Sequence, residues 1–208
     1  MPTAAALAAA LALVASVAPA APPRPAPRGP VVLHVGDSFV YAGLAQALRP
    51  RFEAFGLRYL TVSKTSAFIP TLPAAIGLRS LVASYRPALV LVTLGANDMT
   101  AFDPESRAGA VRSLVPSLGD TPSLWTLPPP WNEKGRVVLR VIEREAPPCR
   151  TFDPTPVADR IRRGPDGIHP SPEGGAFWAE MFWAWLGVAD PDAAAESTAT
   201  PALPTPTR

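Results

Sequence analysis

Histidine, cysteine and lysine are scarce in this 208-residue chain, and each scarcity closes off a chemistry. The two histidines, His34 and His169, cannot build a His-rich metal centre, and no paired-ligand spacing accompanies them. The single cysteine, Cys149, excludes an intrachain disulfide. It follows Pro147-Pro148 and reads as a strand residue; a catalytic thiol would have to recruit one of the two histidines. The lysines are Lys64 and Lys134, and 19 basic residues face 17 acidic ones for a net charge of +2. No basic run suits nucleic acid. No apolar run is comfortably long enough to cross a membrane. The longest, about Ala4 to Val17, ends in Ala18-Pro19-Ala20. That is the pattern of a secretory signal with an A-x-A cleavage site, although no Lys or Arg precedes it.

Proline, by contrast, is abundant, with 28 residues. It marks boundaries. Residues 1–20 read as the signal peptide and 21–29 as an extended proline-rich linker. Residues 189–208 lack the large apolar side chains that folding needs. The folded unit is expected at 30–188; 48% of the whole chain is hydrophobic, enough for a sizeable core. The protein is expected to be secreted or periplasmic, with no integral membrane segment once the signal is removed.

Within the folded unit, apolar runs alternate with helical spacing. Strands are expected at Val31–Val35, Leu57–Ser63, Ala88–Leu94, Ser123–Leu127 and Cys149–Phe152. Helices are expected at Phe39–Phe55, Leu72–Tyr85, Pro104–Leu118, Glu133–Glu145 and from Pro172 to about Leu186, the last capped by Ser171. Uninterrupted apolar strands alternating with helices imply a parallel sheet covered on both faces. The expected fold is an α/β three-layer sandwich with a five-stranded parallel sheet, flavodoxin-like. In such sheets, sites form where the strands end.

The strand ends carry polar groups that would converge there. The first ends in Gly36-Asp37-Ser38, the second in Ser63-Lys64-Thr65-Ser66, the third in Gly95-Ala96-Asn97-Asp98. The fourth runs into Pro128-Pro129-Pro130-Trp131, and Asp166-Gly167-Ile168-His169 follows the fifth. Ester hydrolysis needs a nucleophile, a base, an orienting carboxylate and oxyanion donors. Ser38, at a strand-to-helix turn, can be the nucleophile. His34 sits inside a strand and reads as a hydrogen-bonded core residue. His169 has Asp166 three residues before it, so a loop can bring the carboxylate to one ring nitrogen and leave the other for Ser38. The Ser38 backbone N–H and the Asn97 amide can hold an oxyanion. Asp37 and Asp98 read as turn-stabilising carboxylates. Trp131, in a stiff loop, is a candidate to stack on substrate or to pack structurally.

Gly36-Asp37-Ser38, Gly95-Ala96-Asn97-Asp98 and Asp166-Gly167-Ile168-His169 together resemble three sequence blocks of the SGNH (GDSL-type) hydrolases, in the order and strand context of that superfamily. The resemblance implies Ser38 as nucleophile, His169 as base then acid, Asp166 as its orienter and Asn97 as an oxyanion donor. It implies no cofactor and no metal. The family usually places a glycine after the second strand, whose N–H completes the oxyanion hole; "TVSKTSAF" has none. A backbone N–H from Lys64, Thr65 or Ser66 would have to serve. The expected activity is a serine esterase on a small acyl ester, such as an O-acetyl group on a cell-wall or extracellular glycan. Two rivals stand beside it: an O-acyltransferase on the same triad, and a non-catalytic glycan-binding module with a degraded oxyanion hole.

Overall fold

The computed structural model describes residues 29–187. The signal and tail expected from sequence, the linker apart from Gly29, and Val188 lie outside the described residues.

Five strands form one sheet: β1 (Val31–Gly36), β2 (Arg58–Ser63), β3 (Leu89–Thr93), β4 (Ser123–Thr126) and β5 (Arg150–Phe152). All neighbours are parallel and the order is β2-β1-β3-β4-β5. Among the described residues, six α-helices accompany them: α1 (Leu44–Ala54), α2 (Leu72–Ala75), α3 (Leu78–Tyr85), α4 (Ala108–Leu114), α5 (Glu133–Glu145) and α6 (Pro172–Leu186). Strand alternation divides the core in two. Val31, Leu33 and Val35 of β1 join Leu72, Leu78, Val111, Leu114, Val138 and Ile142 on one face. Val32 joins Leu44, Leu48, Phe52, Trp178 and Phe182 on the other. These two clusters are the two sides of a three-layer α/β/α sandwich, as the apolar pattern of the strands implied.

The differences from expectation are local, and most have a visible cause. The helix expected over Phe39–Phe55 is a 3-10 turn at Ser38–Val40 followed by α1, with Gly43 at φ 80° between them. Leu72–Tyr85 is cut into α2 and α3 by Gly77 at φ 61°. Only Ala108–Leu114 of the Pro104–Leu118 run is α-helical, flanked by 3-10 turns that each begin near a proline. A short 3-10 turn at Thr155–Arg160 had no clear sequence signal.

His34 is fully buried. Its Nε2 lies 2.8 Å from Thr93 Oγ1, and its Nδ1 is hydrogen-bonded with the Tyr59 hydroxyl. It is the core histidine expected from its strand position. Burial lowers its pKa from 6.5 to about 3. Between those values the unfolded chain binds a proton that the native state refuses. His34 therefore costs stability as pH falls below 6.5, by about 1.4 kcal/mol per pH unit down to about pH 3. Relative to wild type, His34→Gln should thus gain stability by that slope as the buffer is acidified. Urea titrations at a series of pH values measure it; a pH-independent difference would contradict the assignment.

Candidate active site

Ser38 owes its position to its neighbours. Gly36 ends β1 where a side chain has no room: a Cβ there would lie 1.8 Å from the Thr93 carbonyl oxygen. The next N–H, of Asp37, donates to that same oxygen at 3.1 Å. The buried Asp37 carboxylate caps the 3-10 turn by accepting from Phe39 N–H at 2.9 Å. The backbone N–H groups of Gly95 and Ala96 also favour its charged form, so the turns after β1 and β3 both face this carboxylate. Burial pushes its pKa up to about 7, against the pull of those N–H groups. This is the turn-stabilising role expected of Asp37. The chain reverses here with Ser38 half-buried at the sheet edge, and the Ser38 backbone N–H has no acceptor among the described residues.

His169 arrives from the other end of the chain. Its Nε2 lies 2.8 Å from Ser38 Oγ, and its Nδ1 lies 2.6 Å from Asp166 Oδ2. The second Asp166 oxygen accepts from Ile168 N–H at 2.9 Å and His169 N–H at 3.0 Å. The His169 hydrogen bond, then these two N–H groups, holds the Asp166 pKa down at about 2. Asp166 is therefore a carboxylate throughout the neutral range. A carboxylate beside Nδ1 selects the tautomer with the proton there, leaving Nε2 as an acceptor for the serine proton. The Phe39 ring backs the imidazole, with centroids 4.9 Å apart.

Asn97 opens the 3-10 turn after β3. Its amide donates to the Ala67 carbonyl at 2.9 Å and approaches Asp37 Oδ2 only at 3.5 Å. Asp98, fully buried, anchors this corner from behind. It accepts from Ile69 N–H at 2.9 Å and pairs with Arg107 at 2.6 Å. Its expected structural role therefore holds, with Arg107 as a partner that sequence spacing did not reveal.

The loop after β2 corrects one expectation. The Lys64 N–H donates to the Gly36 carbonyl at 3.0 Å, extending the β1–β2 ladder, so it is not free for an oxyanion; the Lys64 side chain is exposed. The N–H groups of Thr65 and Ser66 have no acceptor among the described residues. Ser66 adopts φ 59°. That is the left-handed region that glycine usually supplies, so the loop makes a glycine-like turn without glycine.

Trp131 is half-buried and touches both apolar clusters. Its indole N–H donates to the Ala96 carbonyl at 3.1 Å. Of its two candidate roles, the structural one is occupied: the ring braces the residue before Asn97. Among the described residues, no group of three His, Cys, Asp or Glu side chains could hold a metal ion, and no helix is long and apolar enough to cross a membrane. Cys149 is buried, which raises its thiol pKa to about 11.

A scan against protein-family models finds no match. A search of curated proteins finds none either. Solved structures do match. TesA superposes with a TM-score of 0.60 at 22% identity, over 75% of this chain and 97% of its own. A two-domain esterase (CEX) active on acetylated mannans gives 0.53 at 18%, over 86% of this chain and 53% of its own. AlinE4, an SGNH-hydrolase family esterase, gives 0.50 at 19%, over 82% and 97%. The chain therefore has the fold of the SGNH hydrolases, the family its three motifs resemble.

Proposed function

We propose that this chain, with the fold of the SGNH hydrolases, is a serine esterase acting through Ser38, His169 and Asp166. The observation that carries the reading is the continuous relay from Ser38 Oγ to His169 Nε2 at 2.8 Å and from His169 Nδ1 to Asp166 Oδ2 at 2.6 Å. In this mechanism the Ser38 oxygen attacks the ester carbonyl as its proton passes to Nε2. The tetrahedral oxyanion is held by the backbone N–H groups of Ser38 and of Thr65 or Ser66, and by an Asn97 amide hydrogen not spent on Ala67. His169 then gives its proton to the departing alcohol, leaving an acyl-enzyme. Water attacks the acyl carbon, His169 takes the water's proton and returns it to Ser38, and the acid leaves. Asp166 keeps its charge and stabilises the imidazolium at each transfer.

The acyl group is small, O-acetyl in the first instance, and the alcohol belongs to a cell-wall or extracellular glycan. Support comes from the acetylated mannans of the two-domain esterase that shares the fold and from the secretory pattern of residues 1–20. The left-handed Ser66 and the unengaged N–H of Ser38 favour a working oxyanion hole over a glycan-binding module that has lost one. A fluorophosphonate should add covalently to Ser38, located by peptide mass, and p-nitrophenyl acetate should turn over. Both results should vanish in Ser38→Ala. Equal labelling of wild type and Ser38→Ala would remove Ser38 from the mechanism.

A further inference from the structure

Arg163 carries a half-buried guanidinium with no carboxylate within salt-bridge distance among the described residues. It spends its donors on carbonyls instead. Nη1 donates to the Ile168 carbonyl at 2.5 Å; Nη2 donates to Pro130 at 2.9 Å and Pro129 at 3.2 Å. A cation taken from water needs such compensation, and burial lowers the Arg163 pKa. The carbonyls need it too. Pro129 is buried in the stiff run after β4, where a buried C=O without a donor would be costly.

The partners decide what this cluster does. Ile168 is the residue before His169. Around it the chain closes on itself: Gly164 N–H donates to the His169 carbonyl at 2.8 Å, and Arg163 bridges antiparallel to Pro170. At the other end, Pro130 leads directly into Trp131, whose indole holds the Ala96 carbonyl next to Asn97. One connected path thus runs from the base to the oxyanion corner: His169, Ile168, Arg163, Pro130, Trp131, Ala96, Asn97. The acidic loop residue it would steady, Asp166, is itself exposed, so the loop gains little anchoring from burial of its own carboxylate.

We propose that Arg163 is a positioning residue: its guanidinium clamps the His169 loop to the Pro129-Pro130 strut and so fixes His169 Nε2 against Ser38. The proposal rests on the reading that Ser38 and His169 carry the reaction. A planar cation with five donors can serve three carbonyls at once, which a lysine ammonium on a flexible stem does less well. A misplacement of about 1 Å at a catalytic group costs about 10²-fold in rate.

The test compares wild type, Arg163→Ala and Arg163→Lys with p-nitrophenyl acetate and with fluorophosphonate labelling, alongside amide exchange at Gly164. Arg163→Ala should keep its circular dichroism and lose about 10–100-fold in kcat with little change in KM. Millimolar guanidinium should restore part of that kcat while leaving wild type unchanged, and Gly164 exchange should accelerate. If Arg163→Ala does not fold, Arg163→Lys should show the same losses in weaker form. A folded Arg163→Ala with wild-type kcat and wild-type Gly164 exchange would overturn the proposal. So would a kcat loss that guanidinium does not relieve. If wild type itself neither labels nor turns over, the esterase reading fails, while unchanged Gly164 exchange would separately remove the clamp.

Discussion

His169→Ala should lower kcat for p-nitrophenyl acetate by about 10⁵–10⁶-fold, and adding Ser38→Ala should cost almost nothing more. The two side chains act as one unit in the proposed mechanism. The hydroxyl is a poor nucleophile until Nε2, 2.8 Å away, accepts its proton, and the imidazole has no task without a serine oxygen to activate. Residual rate over water should come from the oxyanion donors and from binding. Asp166→Ala should be milder than His169→Ala. The Asp166 side chain is 48% exposed, so water can take over part of the hydrogen bond to Nδ1. Single-turnover and steady-state rates for Ser38→Ala, His169→Ala, their double variant and Asp166→Ala check this. Losses of Ser38→Ala and His169→Ala that multiply in the double variant would mean two independent contributions rather than one relay.

The core of this site was legible in the sequence because its parts lie at strand ends. Strand ends are visible wherever an apolar run stops at glycine or a polar cluster. Val31–Val35 followed by Gly-Asp-Ser, and Ala88–Leu94 followed by Gly-Ala-Asn-Asp, locate Ser38 and Asn97 without any structure. A parallel sheet then brings them to one edge. His169 is different: only the local Asp-x-x-His spacing links it to Asp166, and its distance of 131 residues from Ser38 leaves their meeting to the fold. Three features were hidden because backbone geometry or long-range contact creates them. The ladder bond of Lys64 to Gly36 depends on where β2 stops pairing. The left-handed turn at Ser66 falls on a residue type that does not advertise it. Arg163 is one of many arginines, and only the three carbonyls around it distinguish it. Helix ends were misplaced for a simpler reason. Gly43 and Gly77 both take positive φ and break runs whose apolar spacing continues past them.

Gly36→Ala should destabilise the fold by about 3 kcal/mol or more, well beyond the cost of Gly56→Ala. The two glycines separate two effects. Gly56 has φ 73° and open space where a Cβ would go, so alanine there meets only the left-handed penalty, about 1–2 kcal/mol. At Gly36 the obstacle is another strand. A Cβ would lie 1.8 Å from the Thr93 oxygen and 2.7 Å from its carbonyl carbon, and backbone in the middle of a sheet cannot swing aside as a side-chain tip can. Gly36 pairs with both Ser63 and Thr93, so β1 has no open side toward which to retreat. Relief would require β1 and β3 to separate at their ends. That would break the Asp37 N–H bond to Thr93 and shift the turn carrying Ser38. Urea midpoints of the two variants compare the costs, and the fluorophosphonate labelling rate of folded Gly36→Ala reports the displaced serine. Equal destabilisation at Gly36 and Gly56 would mean the close approach to Thr93 relaxes freely. The glycine before Asp37-Ser38 would then be a matter of turn geometry rather than of interstrand space.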